Sequence, residues 1–85
     1  MSLQEVRKQR NLSQRECAEH SGINVRILQF YEQGVRDING AKLSTLLKLC
    51  NALECRLEDI LTDQETLTEL ERYIQTGTKA HSTDE

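Results

Sequence analysis

Apolar positions in this chain fall three and four residues apart, the period of amphipathic helices, and predict five or six short helices and no strand. Leu3 and Val6 mark the inner face of a first helix, from about Leu3 to Gln9. Arg10 and Asn11 end it, and Leu12 plugs the gap behind. A second helix opens with "SQRE", in which Ser13 and Glu16 have the spacing of a capping box. It turns Cys17 and Ala18 inward and stops at Ser21 and Gly22. A third starts at Asn24, a good N-cap residue, and runs to about Gln33, with Gly34 as its stop. Ile38 anchors the following loop. Leu43, Leu46, Leu47, Cys50 and Leu53 then form the stripe of a fourth helix, and Leu57, Ile60 and Leu61 that of a short fifth. Thr62 and Glu65 repeat the capping-box spacing and open a sixth. Its stripe is Leu67, Leu70, Tyr73 and Ile74, and Gly77 ends it. The chain therefore divides into a helical domain at 1–61, a C-terminal helix at 62–77 and a small, polar, mobile tail at 78–85.

One stretch does not fit a simple surface helix. In "GINVRILQFYEQG", Leu28 and Tyr31 share a face with Ile23, so Val25, Ile27 and Phe30 cannot all point the same way. The third helix has apolar residues to spare on the side away from its core.

Composition agrees with an all-α chain: no Pro, few aromatics, and much Leu, Glu, Gln and Arg. Three cysteines, Cys17, Cys50 and Cys55, make a disulfide framework an unnatural reading and point to a reducing cytoplasm, with all three as core residues. No apolar run spans a membrane, and no signal peptide precedes the first helix. The net charge of −3 looks wrong for a nucleic-acid binder, but its distribution changes the picture. Met1 to Lys48 holds eight Lys/Arg against five Asp/Glu, whereas Leu49 to Glu85 holds three against nine. A polyanion should lie against the first half. Cys17 and His20 have a Cys-x-x-His spacing without a second ligand pair, which gives no metal site. No nucleophile–base pair, phosphate loop or paired carboxylates can be assembled, so the expectation is a non-enzyme without cofactor.

The second and third helices are separated by a short turn containing Gly22. Ala18 is small where they approach, Ile23 follows the turn, and Leu28 and Tyr31 pin the third helix from behind. This is the spacing of a helix-turn-helix, whose second helix can enter a DNA major groove. The stretch Leu3 to Leu61 resembles the Cro/cI-type helix-turn-helix regulators of bacteria and their phages, the XRE family. The match is carried by "LSQ", Ala18, Gly22–Ile23, "YEQG" and "LLKLCNAL…LEDIL".

The resemblance implies a compact bundle of five short helices, to which the sixth is added, and sequence-specific binding of double-stranded DNA, usually as a homodimer on a two-fold operator. It places Ser13 and Gln14 on phosphate, and Asn24, Val25, Arg26, Ile27, Gln29 and Phe30 in the groove. It also matches Arg7 and Glu32 to a pair often salt-bridged inside this fold. Arg15 and Arg36 are further phosphate candidates by position, Lys42 a weaker one. Four features depart from the family pattern: Glu54 in place of a Gly, Arg56 where a capping residue is common, a long loop after Gly34, and Phe30 where a polar or basic residue is frequent.

The rival readings are plain. Arg26 and Gln29 suit bases, Arg a guanine and Gln an adenine, but on most helices they are only solvated. Val25, Ile27 and Phe30 suit thymine methyls, the core, or a protein partner. The Leu67, Leu70, Tyr73, Ile74 stripe suits a dimer seam or packing on its own domain. The expected function is a bacterial or phage transcriptional regulator, a repressor acting as a homodimer through residues 24–33. The alternative is an antitoxin-like or other protein-interaction module with the same fold.

Overall fold

The computed structural model describes residues 2–83, and side chains for residues 2–76. Among them, six α-helices are joined by short turns: α1 Leu3–Gln9, α2 Gln14–Ser21, α3 Val25–Gln33, α4 Leu43–Leu53, α5 Leu57–Ile60 and α6 Gln64–Thr83, with a 3₁₀ turn at Ile38–Gly40. The expected all-α architecture, five short helices and a sixth, is the one observed. α2 packs on α3 and α4, and α1 on α3 and α5, around one core. Leu28, Leu49, Leu53, Ile60 and Cys17 are fully enclosed at its centre.

Local chemistry sets the ends of the elements. Ser2 and Ser13 cap α1 and α2, each accepting the N–H of a glutamate three residues on while that glutamate's carboxylate accepts the serine N–H. The Ser13 N–H bonded to its carboxylate, with the Ser13 hydroxyl beside it, holds the Glu16 carboxyl below its usual range, because both favour the ionised form. Gly22 and Gly34 end α2 and α3 with φ of 74° and 79°, a region that costs a side chain strain. Glu54 ends α4 in the same region, with φ 51°, and has no such freedom. Arg10 compensates: its Nε donates to Leu53 O at 2.7 Å and its Nη2 to Glu54 O at 3.0 Å. A cation thus closes the negative end of α4 and satisfies its last carbonyls. Arg56, at the start of α5, contributes no cap of its own; Asp59 accepts its N–H at 2.9 Å instead.

Three expectations about boundaries and faces are corrected. In α4 the buried stripe is Leu46, Leu49, Cys50 and Leu53, while Leu43 and Leu47 are 62% and 45% exposed. Both stripes contain Leu46, Cys50 and Leu53; they differ only in the flank they take, and α4 turns the Leu49 flank into the core as it packs on α2 and α5. Thr62 does not cap α6. Its N–H and hydroxyl bond to Asn39, whose amide joins the 3₁₀ turn to the start of α6, and Asp63 caps the helix by accepting from the Thr66 N–H and hydroxyl. Gly77 does not end α6, which runs on to Thr83. One helical Gly costs only about 1 kcal/mol relative to Ala, and no proline follows. The expected polar tail therefore begins inside a helix, its side chains and residues 84–85 lying outside the described residues.

The core encloses one ion pair. Arg7 Nε donates to Glu32 Oε2 at 2.6 Å and Nη2 to Oε1 at 3.0 Å, while Nη1 reaches Leu12 O at 2.8 Å. The Glu32 side chain is 1% exposed and that of Arg7 9%. Burial makes the pair costly to break, since the surviving charge would have no partner.

Two predictions follow from the core. Glu32→Ala should destabilise by ~3–5 kcal/mol, and the joint change Arg7→Met with Glu32→Leu by much less. Chemical denaturation of the three proteins checks this; equal losses would mean that the pair is not enclosed as described. The second concerns alkali. Burial, with Cys55 alongside, pushes the Cys50 thiol up to about 12 from an ordinary 9.0. A raised folded pKa means that its contribution is full below pH ~9 and is lost as pH rises toward the folded value. Cys50→Ala should therefore lose stability less steeply than wild type above pH ~9, measured as melting temperature against pH.

Candidate nucleic-acid interface

The site is built on the N-terminus of α2, the outer side of α3 and the loop that follows. Ser13 is exposed, but its hydroxyl and N–H are both engaged with Glu16. The N–H groups of Gln14 and Arg15, in the first turn, have no intrahelical acceptor and face outward from the helix end as donors for an anion. Arg15 is exposed beside them.

Gln14 is half-buried, and its side chain is bracketed. Its Nε2 donates to Glu32 Oε1 at 3.1 Å, and its Oε1 accepts from Gln29 Nε2 at 3.2 Å. A hydrogen-bonded chain therefore runs from the enclosed Arg7 through Glu32 and Gln14 to Gln29 on α3. This settles which atoms each amide has left. Gln29 retains its carbonyl oxygen and one N–H, an acceptor–donor pair of the kind that matches the N6/N7 edge of adenine. The sequence reading had both glutamines as site candidates but not their connection. No local signal marks it, because the partners are fifteen and eighteen residues apart.

α3 divides its side chains as the opening anomaly requires. Leu28 is fully buried, and Tyr31 packs half-buried against the core. Arg26 is exposed and forms no ion pair among the described residues. Asn24 is exposed, with its Oδ1 accepting the Arg26 N–H at 2.7 Å, so that its amide N–H groups alone remain to donate outward. Ile27 and Phe30 are half-buried. Val25 is half-buried too, but it rests on the core, so its methyls are only partly available to a ligand. Arg36, exposed in the loop, places its guanidinium 5.9 Å from the Phe30 ring centroid, near enough for a cation–π contact. Gly34 makes this possible. Its left-handed turn lets the N–H groups of Val35 and Arg36 bond back to Phe30 O at 2.9 and 3.2 Å, which returns the chain to the end of α3.

The residues considered for a dimer seam separate along α6. Leu67 and Leu70 are half-buried and pack against their own core, whereas Tyr73 is 73% and Ile74 48% exposed. The first half of the stripe belongs to the domain, the second half projects.

Outside the chain itself, a family model described as helix-turn-helix matches residues 3–60. No curated protein matches significantly. The matched span runs from the first residue of α1 to the last of α5 and contains the Arg7–Glu32 pair and the α2–turn–α3 unit. The chain belongs to the helix-turn-helix family of DNA-binding regulators of the XRE type.

Proposed function

We propose that the protein is a repressor that binds a two-fold DNA operator as a homodimer, inserting α3 into the major groove. The observation that carries this reading is the preset outer side of α3. Leu28 ties the helix to the core from behind, and the Arg7–Glu32–Gln14 chain orients Gln29 before any ligand arrives. Side chains held in advance lose less freedom on binding, which favours selective recognition.

In this reading the roles are distinct. Arg26 reads a guanine edge and Gln29 an adenine, while Asn24 donates from the helix start. Ile27 and Phe30, with the accessible part of Val25, contact thymine methyls. Ser13, Gln14 and Arg15 approach phosphate at the start of α2, and Arg36 does so from beside the Phe30 ring. The mildly basic first half of the chain, which contains α2 and α3, suits the polyanion better than the acidic second half. No helix among the described residues is long and apolar enough to cross a membrane. The compartment we propose is the cytoplasm, at the nucleoid.

Fluorescence anisotropy on an operator selected from random duplexes tests the reading. Arg26→Ala should cost ~1–3 kcal/mol on that operator and relax preference at one base pair, with a smaller loss on random DNA. Phe30→Ala should weaken binding most where a thymine lies beneath the ring. Wild type that shows no sequence preference at moderate salt would overturn the proposal. Binding of a protein partner abolished by Phe30→Ala, with DNA binding unaltered by Arg26→Ala, would instead support the interaction-module alternative.

Gln14→Ala provides a separate check. It removes the link that orients Gln29 but leaves Arg7 and Glu32 paired. Selectivity for the adenine read by Gln29 should fall while the melting temperature changes little. Unaltered selectivity would show that Gln29 does not depend on the chain for its orientation.

A further inference from the structure

The loop after α3 is held on both sides of its basic residue. Upstream, the N–H groups of Val35 and Arg36 bond to Phe30 O at 2.9 and 3.2 Å. Downstream, Ile38 enters the core at 8% exposure, while Arg36 and Asp37 stay exposed. A cavity of about 310 Å³ lies beside them, lined in part by Tyr31, Arg36, Asp37, Ile38 and Thr62. Apolar packing therefore holds Ile38 but does not hold the two residues before it.

Asn39 supplies what packing does not. Its N–H and its Nδ2 both donate to Asp37 Oδ1, at 3.0 and 2.8 Å. Nδ2 also donates to Thr62 Oγ1 at 2.9 Å, and Oδ1 accepts the N–H groups of Thr62 and Asp63 at 2.8 and 3.0 Å. An Asn amide has two donor and two acceptor sites, and here all four are taken. Each bond is exposed and weak by itself in water, but one side chain makes them all at once. Asn39 thus ties Asp37 to the segment that opens α6, and it has no amide site left for a ligand.

The tie also governs charge. Asp37 directly follows Arg36 and is the only acidic residue between Gly34 and Leu43. Two donors on one carboxylate oxygen turn Asp37 toward Asn39. Arg36 forms no ion pair among the described residues, and its guanidinium lies by the Phe30 ring instead. An exposed, unpaired cation on backbone held from both sides is suited to a phosphate. Without Asn39, a carboxylate with acceptor sites to spare would stand next to that cation.

We propose that Asn39 is a positioning residue for DNA binding: by tying Asp37 to Thr62 and Asp63, it keeps Arg36 free of its acidic neighbour and in place for a phosphate. This rests on the DNA reading above, in which Arg36 approaches phosphate, and it adds a residue that acts only through another.

Operator binding as a function of salt tests this, read by fluorescence anisotropy on wild type, Arg36→Ala, Asn39→Ala and the double variant. Each lost phosphate contact flattens the slope of log affinity against log salt by about 0.9 on duplex DNA. Arg36→Ala should flatten it by about that amount per protomer, and Asn39→Ala by a substantial part of it, with melting temperatures that show both proteins folded. In the double variant, Asn39→Ala should add nothing to the effect of Arg36→Ala. Thr62→Val removes the bond from Nδ2 but leaves the two N–H bonds to Oδ1, so it should flatten the slope by less. Where Asn39→Ala does not fold, Thr62→Val decides by the same criteria. A wild-type slope in Asn39→Ala, or an equal loss with and without Arg36, would make Asn39 a structural residue only and overturn the proposal. An unchanged slope in Arg36→Ala would overturn it too, while selective operator binding by wild type left the DNA reading standing. Wild type without sequence preference would remove that reading and this proposal with it.

Discussion

The enclosed Arg7–Glu32 pair is the constraint on which the rest of the domain depends. Its two members come from α1 and α3, and its geometry is bidentate, so it fixes both the separation and the rotation of these helices. Charges this well buried cannot find water when the helices slip, and a shifted register leaves each without compensation. The pair also reaches beyond the core. Glu32 Oε1 accepts from Gln14, and Gln14 accepts from Gln29, so the rotation of α3 and the pose of its outward amide are set by one network. The core and the outer face of α3 are coupled here through a carboxylate.

The opposite end of the domain solves a different problem. The α4–α5 turn requires a left-handed residue, and the chain supplies Glu54. Arg10, from the end of α1, donates to the two carbonyls that the turn leaves open. Asn39 acts in a similar way between the 3₁₀ turn and α6, accepting two N–H groups with one oxygen. In both places a distant polar side chain satisfies backbone groups that the local residues do not. The turns are thereby joined to the bundle, and their geometry becomes part of the tertiary structure.

The surface is partitioned by charge and by polarity. Arg15, Arg26 and Arg36, exposed and without an ion pair among the described residues, lie on α2, α3 and the loop after it. Of the exposed large apolar side chains, Leu43 and Leu47 lie on α4, Tyr73 and Ile74 on the acidic α6, and Val35 in the loop after α3.

Much of the molecule was legible in the sequence because its signals are local. Capping boxes at Ser13, glycines at left-handed helix ends and the periodicity of Leu3, Val6, Cys17 and Leu28 act within one or two turns, and each element from α1 to α5 lies close to where the pattern puts it. The Arg7–Glu32 pair was legible only through family resemblance. Other features depend on what lies opposite, and there the pattern was insufficient. Leu43, Leu47 and Leu49 are equally apolar, and only the packing of α4 on its neighbours decides that Leu49 is enclosed. Thr62 and Asp63 can both cap a helix, and Asn39, more than twenty residues away, decides between them. The sequence by itself determined the helices, the ends of α1 to α3 and the face of α3 that is left outward, because hydrogen bonds and periodicity within a turn suffice for these. Tertiary structure alone decided the flank of α4, the cap of α6 and the glutamine chain on α3, because each is a choice between chemically equivalent groups made by a neighbour distant in sequence.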